Sequence, residues 1–269
     1  MDGLKKFLLT LLGEKRYLSF LASSFQRLYQ TGGLGTDYQD IYFLKEIIEE
    51  GQFCVDIGAH LGYYTIRMSK LVKEKGKVFA VEPMSKFCIT LRNLLKKNKI
   101  KNVEVYQVAL GGEGNWVEMG IPEVSNMKKF GYARVTQISS QYKYVGLERI
   151  KNESGDHLFE LLPRLDFIKC DVEGLEVPVF ASMMKTISRH RPILLCELAD
   201  KLERIKLYEM LIPFGYRLFR LENKKLWQLD AYSDQKAISH NHYFIPEKHE
   251  KRLLSRIETY KDKTESSLE

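Results

Sequence analysis

Between Phe53 and Ile245 the chain repeats one unit: a short apolar run, a turn, then a stretch of helical periodicity. Phe53–Ile57 and Lys77–Val81 read as strands, Tyr63–Lys75 and Ser85–Asn98 as helices, and Val103–Leu110 as a third strand. After residues 111–158 the alternation resumes with strand Leu165–Cys170, helix Leu175–His190, strand Ile193–Leu198 and helix Leu202–Leu211, then strands at Tyr216–Leu221 and His242–Ile245. Strands joined through helices must run parallel with right-handed crossovers, so the fold class is α/β. Residues 111–158 break the rule: they hold Gly111, Gly112, Gly114 and Gly120 and β-rich pieces at Trp116–Ile121 and Ala133–Ile138, and read as an insertion of strands and loops.

The flanks are of other character. Leu4, Phe7, Leu8, Leu11 and Leu12, then Leu18, Leu21, Phe25 and Leu28, predict two short amphipathic helices in an N-terminal extension, residues 1–36. With basic residues beside them, residues 4–30 suit packing on the domain or on a partner chain, and also peripheral contact with a membrane surface. Asp37 is expected to N-cap the next helix, which Gly51 ends as a C′ residue. The central domain is expected over 37–246, and a solvated helical tail over 247–269. No apolar run approaches the roughly 20 residues of a membrane span, and Glu14, Lys15 and Arg16 stand where a leader's cleavage site would fall, so a cytoplasmic setting is expected. The four cysteines form no zinc or CxxC spacing, and Cys54, Cys170 and Cys196 sit in apolar runs, as buried small hydrophobes do.

Chemistry concentrates where strands end. Val55-Asp56-Ile57-Gly58-Ala59-His60-Leu61-Gly62 is a buried strand closing on an acid, followed by a glycine turn that opens a helix. Such turns bind nucleotide-like ligands over the carboxyl ends of a parallel sheet. His60 replaces the glycine that brings backbone against a pyrophosphate, so the turn suits a smaller cofactor with an amino-acid end. S-adenosylmethionine fits: Asp56 can accept from its ammonium, and backbone amides at the helix start can donate to its carboxylate. Glu82, ending the second strand before Pro83, can accept both ribose hydroxyls. Asp171, Glu173 and Gly174 close the strand Asp166–Cys170 and would reach the same rim as Asp56.

Together, V-D-I-G-A-H-x-G-Y-Y-T, V-x-A-V-E-P, V-A-L-G, D-F-I-K-C-D-V-E-G-x-E and R-P-I-L-L-C-E resemble the FkbM-type S-adenosylmethionine-dependent methyltransferases, from about Asp37 to Pro246. The resemblance implies a seven-stranded Rossmann-like methyltransferase sheet, mostly parallel with its last strand antiparallel, and methyl transfer to a hydroxyl oxygen, often on a sugar or a polyketide. It implies that Asp56, Gly58, Ala59, His60 and Gly62 hold the methionine end, Glu82 and Pro83 the ribose, and Val108, Ala109 and Leu110 the adenine.

Transfer requires an oxygen aligned with the sulfonium methyl and a group to take its proton. Asp171, Glu173, Glu197 and His60 are the candidates, with Asp171 and Glu173 preferred because their strand adjoins the cofactor strand. Asp171 with Glu197 is also an alternative site for a divalent metal such as Mg²⁺, used as catechol-type methyltransferases use it. His240 and His242 share a strand face but lack a third ligand nearby in sequence.

The net charge of +7 is uneven. Residues 86–101 hold six Lys/Arg and no acid, on what reads as a solvated helix face; residues 127–151 hold six against Glu148 alone, inside the insertion. There Phe130, Tyr132, Tyr142 and Tyr144 interleave with Lys128, Lys129, Arg134, Lys143 and Arg149, as a lid for an acidic glycan or small-molecule acceptor would. Arg134, Lys143 and Tyr132 are therefore the expected substrate contacts. An RNA methyltransferase is the alternative, disfavoured by the small charge excess and by the lack of an N-P-P-[YFW] element; a non-catalytic scaffold on the cofactor fold is a third reading.

Overall fold

The computed structural model describes residues 2–35, 38–111, 114–125, 127–138, 141–233, 240–253 and 257–258. Helix α1 (Asp2–Gln30) is bent at Gly13, where φ 71° and ψ 159° are not helical, so the two expected amphipathic helices are halves of one element. Its second half buries Tyr17, Leu18, Ala22 and Phe25. Helix α2 (Gln39–Ile47) ends where Ile48 turns extended, before Gly51 rather than at it; the expected cap Asp37 lies outside the described residues.

Strand β1 (Phe53–Ile57), α3 (Tyr63–Val72), β2 (Lys77–Val81), α4 (Ser85–Lys97) and β3 (Val103–Tyr106) follow the predicted alternation. The third strand is shorter than expected. After Tyr106 the chain leaves the main sheet, and β4 (Ala109–Leu110) joins a smaller one with β5 (Trp116–Val124), β6 (Met127–Lys128), β7 (Arg134–Val135) and β8 (Lys143–Glu153). The insertion is thus a small sheet centred on the antiparallel β5–β8 pair, with 3-10 turns at Phe130–Tyr132 and Thr136–Ile138.

Beyond it come α5 (Gly155–Phe159), β9 (Phe167–Cys170), α6 (Glu176–Ala181), α7 (Met184–His190), β10 (Ile193–Glu197), α8 (Lys201–Leu211), β11 (Tyr216–Glu222), β12 (Lys225–Gln228), β13 (Asn241–Pro246), α9 (Glu247–Leu253) and β14 (Ile257–Glu258). The helix expected over Leu175–His190 is two helices. Asp156 causes the break: its amide takes the Ser182 carbonyl at 2.9 Å, while its carboxylate caps the Thr186 amide at 2.8 Å. The tail is not one helix either; after α9, Ile257 pairs with Leu226 on β12, and the residues after Glu258 lie outside those described.

Among the described residues the main sheet has nine strands in the order β14-β12-β11-β13-β10-β9-β1-β2-β3. Its seven-strand part, β11 to β3, is parallel except for β13, which runs antiparallel to both neighbours. β12 and β14 extend this expected sheet; β12 was missed because its four residues carry only two apolar side chains, Leu226 and Trp227. Strand periodicity divides the core. Val55, Ile57, Ile168, Cys170 and Leu194 enter one cluster, and Cys54, Phe167, Leu195 and Tyr243 enter another on the opposite face. Cys54, Cys170 and Cys196 are free and buried, as expected, and so is Cys88 of α4.

Candidate active site

The turn after β1 is defined by what it cannot accommodate. Gly58 has φ +81°, and a Cβ there would stand 1.8 Å from the Asp171 carbonyl oxygen, so the β1 and β9 ends touch through bare backbone. Gly58 and Ala59 donate their amides to the Val81 carbonyl, each at 3.0 Å, and the His60 amide donates to Glu82 Oε2 at 2.8 Å. The other Glu82 oxygen accepts from the Met84 amide at 2.8 Å, so one carboxylate joins the β1 turn to the turn that Pro83 makes before α4. Gly62, at φ +84°, starts α3 with Leu91 beneath it. His60 itself is at φ +47°. Its ring meets Phe87 edge-on at 4.3 Å, and its Nε2 is buried without a hydrogen-bond partner among the described residues. Burial pushes the imidazole down to about 4, which leaves it neutral and a poor general base.

Across the sheet, Ala80, Asp56, Lys169, Leu195 and Tyr243 stand in register and point to one face. That face holds a polar row inside the core. The Asp56 carboxylate is 2% exposed and accepts from Thr65 Oγ1 of α3 at 2.5 Å. Lys169, also 2% exposed, places Nζ 3.2 Å from Asp171 Oδ2 and 5.2 Å from the centre of the Tyr64 ring. Asp40 of α2 closes the row by accepting from Tyr243 Oη at 2.7 Å and Asn241 Nδ2 at 2.9 Å. Burial alone would push the lysine toward its neutral form, but Asp171, Tyr64, Glu197 and Asp56 together raise its affinity for the proton.

At the open rim, Asp171, Glu173 and Glu197 converge. Burial and the Asp171 charge raise both Glu173 and Glu197 to about 7, and Glu197 also shares a side-chain hydrogen bond with Asp171. Glu173 sits at φ +57°, and Glu176 fixes the loop around it by accepting from the Val172 and Gly174 amides at 2.9 and 3.1 Å. Arg134 reaches down from β7, with Nη2 2.7 Å from Glu173 Oε2 and its guanidinium 5.6 Å from the Tyr142 ring centre.

The structure therefore gathers Asp56, Gly58, Ala59, His60, Gly62, Glu82 and Pro83 around two adjoining turns, and sets Asp171, Glu173, Glu197 and Arg134 beside them. Asp56 is turned beneath the loop to Thr65, not out toward the rim. Ala109 and Leu110 are buried in β4, outside the main sheet. Lys143 pairs with Glu123 at 3.0 Å, and Tyr132 is 55% exposed beside α1. Most cations of the insertion are engaged: Lys128 holds Glu14 of α1, Arg134 holds Glu173, Lys143 holds Glu123, Lys151 holds Glu153, and Arg149 lies over Trp116. On α4, Lys86 shares Glu14 with Lys128, while Arg92, Lys96, Lys97, Lys99 and Lys101 are exposed on the solvated face expected of this stretch. Among the described residues no group of three His, Cys, Asp or Glu side chains is arranged to hold a metal ion, and His242 is buried with Nδ1 on the His240 carbonyl. Sequence reasoning missed Lys169, Tyr64, Thr65 and Glu176. A lysine inside the apolar run Phe167–Cys170 was the available signal for the first.

A sheet of this order, with acids closing neighbouring strands around a glycine turn, has the form of a Rossmann-like methyltransferase domain. Residues 56–225 match the model of the methyltransferase FkbM domain, more than half of the chain. This chain belongs to that family. No curated protein matches it. Among solved structures it is similar to the methyltransferase FkbM of Methylobacillus flagellatus, with 19% identity and a TM-score of 0.47 over 73% of this chain and 43% of that one. This chain thus spans under half of that protein's length. It is similar also to an S-adenosylmethionine-dependent methyltransferase of Aquifex aeolicus (19% identity, TM-score 0.40, covering 83% and 96% of the two chains). A third is an S-adenosylmethionine-dependent O-methyltransferase of Thermotoga maritima (13% identity, TM-score 0.42, covering 77% and 63%).

The residues fit the cofactor of this class. Each Glu82 oxygen accepts only one backbone amide, which leaves lone pairs for ribose hydroxyls, and the orphaned His60 Nε2 lies in the same turn. Burial raises Asp56 to about 6 and Glu82 to about 7. A carboxyl whose folded pKa exceeds its unfolded value of about 4 contributes stability below that value and loses it as pH rises through the folded pKa. Melting of the chain alone should therefore show stability falling between about pH 4 and 7, by of order 3 kcal/mol per carboxyl at most. A melting temperature that rises across that range would contradict it.

Proposed function

We propose that this chain transfers a methyl group from S-adenosylmethionine to a hydroxyl oxygen of a sugar-type or secondary-metabolite acceptor. The observation that carries this reading is the convergence of Asp171, Glu173 and Glu197 beside the β1 turn, under Arg134. The cofactor supplies an electrophilic sulfonium methyl when bound. Glu82 would hold its ribose, and the Gly58–Gly62 turn its methionine end, with Ala109 and Leu110 toward the adenine. Asp171 would take the hydroxyl proton, oriented by the Lys169 ammonium at 3.2 Å. Glu173, held by Arg134, would orient the acceptor from the side of the insertion. Residues 37–246 would form the catalytic domain.

Calorimetry with S-adenosylhomocysteine tests cofactor binding, and transfer of labelled methyl into fractionated glycan, lipid, RNA and protein pools tests the acceptor. Label in the glycan or small-molecule pool is the expected result; label in RNA alone would replace the reading. Arg134→Ala with Lys143→Ala should raise the acceptor KM by about tenfold, as loss of a charge-assisted contact does, and leave S-adenosylhomocysteine affinity unchanged. Since Lys143 is engaged with Glu123, the single Arg134→Ala variant should account for nearly all of that effect. An unchanged KM in the double variant would remove the insertion from acceptor binding.

A further inference from the structure

The first half of α1 turns an apolar stripe to solvent. Leu4, Phe7 and Leu11 are 65%, 60% and 66% exposed, while Leu8, Leu9 and Leu12 pack on the core. At about 100° per residue the three exposed side chains fall within an arc of about 60°, a continuous ridge rather than scattered contacts. Lys5 and Lys6 lie on the two other flanks of the helix, each about 130° round from the ridge, beside a cavity of about 380 Å³ between α1 and the insertion. Its floor is Leu9, Tyr17 and Phe130, and Lys5, Lys6 and Lys129 stand around it.

The charge near this ridge is positive. Lys5, Lys6, Lys15 and Arg16 are exposed, and Glu14 is drawn inward by Lys86 and Lys128, each at 2.6 Å. Burial would raise the Glu14 carboxyl, but the hydrogen bonds from Lys128 and Lys86 bring it below its usual value. A second copy of the chain is a poor occupant. Three side chains fall well short of the roughly 800 Å² per partner of a stable interface, and a two-fold contact would set these cations against themselves. An anionic bilayer complements both features, because its acyl boundary accepts the ridge and its phosphates meet the lysines.

We propose that α1 seats the protein on an anionic phospholipid bilayer, with Leu4, Phe7 and Leu11 entering the acyl boundary and the exposed Lys5, Lys6, Lys15 and Arg16 of the same helix supplying the attraction to anionic headgroups. The seat does not depend on methyl transfer.

Co-sedimentation of the full chain tests it, with vesicles of equimolar phosphatidylglycerol and phosphatidylcholine against phosphatidylcholine alone. Binding to the anionic vesicles should be stronger by about tenfold or more. The triple variant L4S/F7S/L11S should lose binding to both, and K5E/K6E should lose the preference for phosphatidylglycerol. Unchanged S-adenosylhomocysteine affinity in both variants shows that their fold is intact. Inorganic phosphate, matched in ionic strength to chloride, should not release the protein; release by phosphate alone would mean that the lysines serve a free anion, and would overturn the seat. Absence of binding to anionic vesicles, or equal binding by wild type and the triple variant, would overturn it. So would a dimer, seen by light scattering, that the triple variant converts to monomer without any change in vesicle binding.

Discussion

Asp171→Asn should lower methyl transfer by about 10²–10⁴-fold, the range of a lost general base, while S-adenosylhomocysteine binds as before. The substitution keeps the shape of the side chain, and an amide oxygen can still accept from Lys169, whose Nζ lies 3.2 Å from Oδ2 in the native chain. What disappears is the capacity to take a proton. A second consequence separates this role from a structural one. Glu197 is raised to about 7 by burial first, then by the Asp171 charge and their shared hydrogen bond. Without that charge the Glu197 carboxyl should ionise at lower pH, so the residual activity should have a displaced pH profile. Glu173→Gln should have the milder effect, about tenfold, expressed mainly in acceptor KM because its carboxylate faces Arg134. Should Asp171→Asn keep more than about a tenth of wild-type turnover, the proton acceptor lies elsewhere.

Lys169→Met should destabilise the fold by about 1–3 kcal/mol, less than the cost of breaking a fully buried ion pair because the Asp171 side chain is 37% exposed. For a chain of this size that is a fall in melting temperature of about 5 °C. The methionine fills the space of the stem but leaves Asp171 without its cation and Asp56 without the positive field opposite it. Asp56 should then be raised further above about 6, and the pH dependence of melting should steepen. The double variant Lys169→Met with Asp171→Asn should recover part of the loss, since the uncompensated charge is gone. Additive losses in that cycle would show that the two side chains are not energetically paired.

The glycine turn after β1 was legible because its constraints are local. Gly58 and Gly62 are needed for backbone conformations at positive φ, Glu82 follows an apolar run of strand length, and these features are adjacent in the chain. The alternation of Phe53–Ile57, Tyr63–Val72 and Lys77–Val81 was legible for the same reason, since periodicity is read within one element. Lys169 was not. In sequence it interrupts an apolar strand, and only the packing of Tyr64 above it and Asp171 beside it gives a buried ammonium a reason to exist. The break at Ser182 escaped for a similar reason, because the groups that end one helix and cap the next come from Ser154 and Asp156, nearly thirty residues earlier.

The positive stretches show the division most clearly. Their composition is a property of the chain, but whether a cation is offered to a partner depends on what folds against it. Residues 127–151 promised a basic lid, and the fold supplies Glu14, Glu123, Glu153 and Glu173 to most of its charges. By itself the sequence determined the α/β alternation, the glycine turn and the acids that close the strands, because each follows from neighbours along the chain. Tertiary structure alone decided that Asp56 faces Thr65, that Arg134 reaches Glu173, and that Leu4, Phe7 and Leu11 stand uncovered. These are relations between distant segments, fixed by burial and charge pairing in three dimensions rather than by local propensity.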